Sequence, residues 1–252
     1  AAGDSLFLCM TADRRVLAIL CPSGSSIEQK LLWLFGLTLT EDFALSQRDI
    51  GAEGGRDVDL AVRFILDELD IEAEEPVPAA FDQLIGRFGL AFPSTAVFSA
   101  FARDSLTGVD PVASPDDALL AWMEQEEALF RHLEREIVTE RLRSGFFDEN
   151  GADVDGFLKF SLGVQNRRKS RAGYAFGHHT EVILQAHGLR YTREATTEKR
   201  NAADFLFPGE AEYADRSWPD DQLVMLAVKT TCKDRWRQVL AEADRIGDKH
   251  LL

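Results

Sequence analysis

The sequence predicts an α/β fold, a central sheet flanked by helices, preceded by a small α+β unit. Three observations carry this. Gln222 to Lys229 is almost wholly apolar, the signature of a central strand covered on both faces. Ser114 to Gly145 has the marks of a long amphipathic helix. The first 70 residues mix short strand-like and helical patterns, and an acidic, proline-containing stretch follows from Glu68 to Ala79.

In chain order, Leu6 to Leu8 and Val16 to Leu20 read as strands around a turn at Asp13-Arg14. Ile27 to Leu37 reads as a helix. Glu68 to Ala79 combines Asp70, Glu72, Glu74 and Glu75 with Pro76 and Pro78, which is linker chemistry. We therefore expect residues 1–78 as one unit, 79–90 as a linker and 91–252 as the main domain. In the long helix Ser114 can cap, Pro115 suits the first position, and Asp116 and Asp117 face the positive end of the dipole. Leu119, Met123, Phe130, Leu133 and Ile137 follow at helical spacing. Asp110 to Asp155 holds 13 acids against four arginines, which reads as a solvated helix face.

The charge then reverses. Gly156 to Thr180 contains no acid but holds Lys159, Arg167, Arg168, Lys169 and Arg171. This is the one dense basic cluster in a chain of net charge −15. It reads either as a solubilising loop or helix end, or as a loop touching phosphates and bases, for which the arginine fork is suited. A helix is expected from about Tyr174 to His187, closed by Gly188, with His178 and His179 exposed. Adjacent histidines diverge by about 100° and do not readily share a metal. Ala203 to Phe207 reads as a short strand, Gly209 to Asp221 as a polar loop. A helix with Trp236, Val239, Leu240, Ala243 and Ile246 on one stripe follows Lys229, and Leu251-Leu252 opens another strand.

Composition excludes several classes. An apolar fraction of 45% rules out wholesale disorder, and the acidic balance rules out a uniformly basic nucleic-acid coat. Cys9, Cys21 and Cys232 form no CxxC, so neither a disulfide scaffold nor a zinc knuckle is expected and a reducing cytoplasm fits. The apolar runs are too short to span a bilayer. No charged segment precedes an apolar one at Ala1, so no signal peptide is expected. The apolar run cut at Leu252 suggests a truncated end.

Three residues can converge at one end of the sheet. Asp204 lies in a strand. Lys229 ends the buried strand, on the face of Leu223, Met225 and Ala227. Glu242 falls at one edge of the next helix's apolar stripe and Lys233 at the other. Two carboxylates can hold Mg²⁺ through oxygen, and a lysine can position water and offset charge on a phosphate. Asp204 and Lys229 alone are better read as a structural buried ion pair.

Three stretches add context: Val164 to Gly173 (VQNRRKSRAG), Asp204 to Pro208 (DFLFP), and Met225 to Val239 (MLAVKTTCKDRWRQV). Together they resemble the EcoRII family of type II restriction endonucleases, from about Phe92 onward. The resemblance implies a PD-(D/E)XK nuclease core with a mixed sheet, acting as a homodimer on double-stranded DNA with Mg²⁺ at a CCWGG-like site. It implies that Asp204, Lys229 and Glu242 are catalytic with Lys233 in support, and that Tyr213 matches a family tyrosine near the site. It places Arg167, Arg168, Lys169 and Arg171 in the recognition segment and Glu181 among the metal-side acids. Residues 1–78 would then be part of an effector domain.

The chain departs from that pattern. Ala203 replaces a proline, and Ala227 stands where the general motif has an acid, displaced here to Glu242. Gly177 stands where the family has a glutamate. The competing readings are a DNA-binding module that has lost cleavage and a structural fragment that docks a partner through its acidic helix.

Overall fold

The computed structural model describes residues 4–10, 14–35, 37, 77–149, 151–198, 201–230 and 235–252. The expected site residue Lys233 and residues 68–76 of the acidic, proline-containing stretch lie outside the described residues. The chain divides into two compact units, 1–75 and 76–252.

In the first unit, β1 (Ser5–Met10) pairs antiparallel with β2 (Val16–Cys21), Phe7 opposite Ile19, and α1 (Ser26–Phe35) follows. Strand alternation sends Phe7 inward and leaves Leu6 and Leu8 exposed. Phe7, Cys21 and Leu31 form the core. Glu28, only 2% exposed, accepts hydrogen bonds from the Ser5 hydroxyl and, at 2.6 Å, the Gly24 N–H.

The second unit opens with α2 (Phe81–Phe88), which occupies most of the segment expected as linker. Phe81, Leu84, Ile85 and Phe88 recur on one stripe and join Phe98, Phe101, Phe130 and Leu133 in a core shared with α3 (Thr95–Asp104) and α4 (Pro115–Ser144). The linker chemistry stops at Pro78, and the apolar stripe makes the next residues a packed helix. In α4 the proline and the two aspartates sit where the sequence places them, though the Ser114 hydroxyl makes no cap. Gly145, at φ 73°, closes the helix by donating its N–H to the Leu142 carbonyl. The acidic face is not wholly solvated, since Glu126 and Glu134 are buried.

A small hairpin, β3 (Phe147–Asp148) and β4 (Gly151–Ala152), leads into α5 (Val154–Ala186). This helix starts twenty residues before the expected Tyr174. The basic cluster is therefore mid-helix, not a loop. Asp153 caps it, accepting from the Gly156 N–H at 2.8 Å.

A four-stranded sheet follows, in the order β5 (Thr192–Thr196), β6 (Ala202–Phe207), β7 (Val224–Ala227), β8 (Lys249–Leu251). The first three run antiparallel and β7 pairs parallel with β8, so the sheet is mixed. Leu206 faces Met225 across the ladder, and these two pack with Ala227, Val239, Ala243 and Ile246 on one side. Phe205, Leu226 and Val228 pack with Leu184 and Phe176 of α5 on the other. Period-2 alternation thus covers both faces of β7. The stretch expected as a polar loop contains a short helix, α6 (Glu210–Ala214). The last helix, α7 (Arg235–Ala241), ends before the expected stripe does. Asn201 and Lys249 donate to the Ala241 and Leu240 carbonyls at 2.8 and 2.7 Å, which satisfies its C-terminus. Ala243 then turns to φ 51°.

Candidate active site

Strand register brings the first two candidate residues together. Phe205 faces Leu226 and Leu206 faces Met225, so Asp204 falls opposite Ala227, two residues before Lys229 on the same face. Lys229 Nζ donates to Asp204 Oδ2 at 2.6 Å, and the Val228 N–H donates to the same oxygen at 2.8 Å. The Lys229 N–H reaches the Leu252 carbonyl at 3.2 Å, which ties the strand end to β8.

Glu242 completes the group from just beyond α7. It is 2% exposed, and its Oε2 has no hydrogen-bond partner among the described residues. Burial pushes its carboxyl above the usual range, Asp204 pushes the same way, and the Lys229 and Lys249 ammoniums oppose them. A buried acid within electrostatic range of another carboxylate, with one oxygen unmatched, is the environment a cation would relieve.

An open cleft of about 310 Å³ lies at this end of the sheet, lined by Asp204, Lys229, Lys169, Arg193, Glu194 and Tyr174 among others. Arg193, Glu194 and Tyr174 were not singled out from the sequence. Arg193 and Glu194 are invisible there because only strand register places them: Arg193 pairs with Phe205 and Ala195 with Ala203, so Glu194 stands opposite Asp204.

The other expected site residues divide. Lys169 lines the cleft. Arg167 is exposed and stacks on Phe92, 4.4 Å from the ring centre. Arg168 is half-exposed and paired with the buried Glu134. Arg171 is a correction. It is buried between α4 and α5, paired with Glu126 at 3.3 Å and with Glu127, and lies 4.0 Å over the Phe130 ring. Burial holds its guanidinium down to about 10 against the pull of Glu126. It is not presented to a ligand. Tyr213 is also corrected. Its ring sits in the apolar core, and its hydroxyl donates to Glu198 and accepts from the Arg245 N–H. Burial, reinforced by Glu198, raises its pKa strongly, so it stays protonated.

Glu181 is committed elsewhere, paired with Arg193 and accepting from the Tyr191 hydroxyl. Among the described residues no three His, Cys, Asp or Glu side chains gather as a metal cage, so the trio Asp204, Glu242 and Glu181 is not assembled. The histidines expected to be exposed are not. His179 is fully buried, 2.9 Å from Glu126, and accepts from Arg103 at 3.0 Å. His178 is half-buried and accepts from Arg193 at 2.9 Å. No described helix is long and apolar enough to cross a membrane.

Residues 130–252 match the family model "EcoRII C terminal". The type II restriction enzyme EcoRII of Escherichia coli is 42% identical over 163 residues, 64% of this chain and 39% of that enzyme. The chain thus spans about two-fifths of that relative's length. Among solved structures, metal-depleted Ecl18kI in complex with uncleaved, modified DNA shares the fold at a TM-score of 0.51 and 20% identity, covering 68% of this chain and 65% of that one. From residue 130 to its end, the chain is similar to the EcoRII C-terminal family.

Proposed function

We propose that the protein is a sequence-specific, Mg²⁺-dependent double-stranded DNA endonuclease of a restriction-modification system, acting as a homodimer on a CCWGG-like site. The observation that carries this is Asp204 bonded to Lys229 at the mouth of a cleft, with Glu242 buried alongside and one oxygen unmatched. Two carboxylates suffice for Mg²⁺, which usually takes one or two from protein and the rest from water and phosphate. Asp204 and Glu242 would hold the ion, and when bound it would neutralise charge on the scissile phosphate and acidify a water.

The chain's own residues supply the rest. Lys229, steadied by Asp204, orients a water for attack on phosphorus and offsets the negative charge that builds on the phosphate oxygens. The P–O bond to the leaving sugar oxygen breaks as the new P–O bond forms, the attacking water releasing its proton to bulk water and the leaving oxygen taking one up from it. Lys169 and Arg167 face the duplex from α5 as phosphate and base contacts. A two-fold homodimer would place one such cleft on each strand of a near-palindromic site. Residues 1–78 would belong to a unit that engages a second copy of the site.

The test is incubation with CCWGG and scrambled duplexes, with and without Mg²⁺. The wild-type chain cuts CCWGG only with the metal. Lys229→Ala loses about 10²–10⁴-fold in cleavage, the range for a displaced acid–base group. It keeps specific binding and its circular dichroism spectrum. Binding without cutting by the wild-type chain would establish the non-cleaving module instead. Unfolding of Lys229→Ala would reduce the Asp204–Lys229 pair to a structural one.

A further inference from the structure

The cleft holds a cation that this mechanism does not use. Arg193, on β5, has a side chain 20% exposed and lines the cleft beside Asp204, Lys229 and Lys169. Successive strand residues point to opposite faces, yet Arg193 and Glu194 both line it. The backbone accounts for this: Glu194 adopts φ 52°, left-handed and disfavoured for a residue with a Cβ. The distortion falls at the position facing Asp204 in the ladder.

Arg193 is also held. Nη1 donates to Nδ1 of His178 at 2.9 Å and to the Glu181 carboxylate. His178 is itself 3.4 Å from the Thr95 hydroxyl. Both bonds use Nη1, and among the described residues none engages Nη2. Nη2 packs over Gly177, where a Cβ would lie 3.1 Å from it. That spacing is tighter than an ordinary carbon–nitrogen contact, so the absent side chain at 177 makes the room the guanidinium occupies.

We propose that Arg193 is a phosphate-binding residue of the cleft, its guanidinium receiving a DNA backbone oxygen next to the Asp204–Lys229 pair, with Gly177 required to seat it. The inference rests on the endonuclease reading. Lys229 is already bonded to Asp204 and Glu194 adds a second carboxylate to the cleft, so of the cations lining it Lys169 and Arg193 are the two left to receive a phosphate. The planar fork can hold a phosphate with one edge while its other edge stays fixed to His178 and Glu181. The alternative is that Arg193 only staples β5 to α5 through Glu181.

Gel-shift titration of a CCWGG duplex in EDTA over a range of salt separates the two. Removing one phosphate contact lowers the slope of log K against log salt by about 1. Arg193→Ala should show that drop and bind about tenfold more weakly at low salt, whereas Arg193→Lys keeps the slope. Gly177→Ala guards against misfolding, because alanine favours a helix over glycine. It should melt at or above the wild-type temperature and still bind with the reduced slope. Wild-type affinity and slope in both Arg193→Ala and Gly177→Ala would overturn the assignment and leave the staple. Failure of the wild-type chain to bind any duplex would overturn the endonuclease reading with it.

Discussion

Two cation–carboxylate groups flank α5, one buried and one half-buried, and they differ in what surrounds them. Arg171 lies between α4 and α5 with Glu126 and Glu127, its side chain 7% exposed and none of the three lining the cleft. Lys229 and Asp204, 11% and 30% exposed, open on the cleft at the sheet's end with Glu242 buried alongside. The first group joins helices and the second faces a space the size of a ligand group. Charge burial alone therefore does not mark a site here. A pair that stays open to a cleft, backed by a carboxyl kept above its usual pKa, does.

The sharpest way to break the contrast is to delete its enclosed member. Arg171→Ala leaves Glu126 buried without its countercharge. Breaking a buried pair from one side costs about 3–5 kcal/mol. A denaturant titration should show that loss, while discrimination between cognate and mismatched duplexes stays as in the wild type for the fraction that remains folded. Lost discrimination with unchanged stability would move Arg171 into the recognition surface and erase the difference between the two groups.

Asp204, Lys229 and Glu242 were legible because local periodicity places them. Alternation puts Lys229 on the face of Met225 and Ala227, and an apolar run ending in a lysine stands out. Glu242 was found although α7 stops at Ala241, because the turn after the helix keeps it on the buried side. Arg171 was not legible. Its partner Glu126 lies 45 residues away, and the start of α5 shows no inward stripe, with Phe157, Leu158 and Leu162 all exposed. A basic cluster without periodicity reads as a loop until a neighbouring helix supplies the acids. Tyr213 was misplaced for the converse reason: its neighbours Asp215 and Asp220 look like a solvated loop, but Arg245 gathers that segment by donating to the Tyr213, Asp215 and Trp218 carbonyls. No local pattern announces a contact across 30 residues.

A smaller effect is expected at Glu242. Its carboxylate is disfavoured by burial and by Asp204, so a neutral isostere removes a penalty the folded state carries. Glu242→Gln should raise stability at neutral pH in EDTA by about 1 kcal/mol, the lower end for one unsatisfied buried polar group. It should also abolish any stabilisation by added Mg²⁺, because ligand binding stabilises only a state that binds it. A thermal melt series with and without the metal reads both. Destabilisation in EDTA would show that Glu242 is a structural partner of Lys229, like the acids around Arg171.

The smallest effect belongs to the enclosed network and separates the two groups by pH. His179 is packed among Glu126 of α4, Arg103 of α3 and Arg171 of its own helix, with Trp122 against its ring. Its pKa lies below the ordinary 6.5, first because burial disfavours the imidazolium and then because Arg103 and Arg171 repel it. Glu126 opposes both. Arg103 donates to Nδ1, which requires that nitrogen to be unprotonated. Half-buried His178 is lowered too, by burial and then by Arg193. Both groups bind protons more readily unfolded than folded, so stability rises with pH where they titrate. Their contribution is full above about pH 6.5 and is lost progressively below it. Stability measured by denaturant between pH 8 and pH 5 should fall on the acid side, and His179→Gln should flatten that fall while lowering stability at pH 8. A fall of equal steepness in His179→Gln would place the acid sensitivity outside the network and remove the distinction in pH response between the two groups.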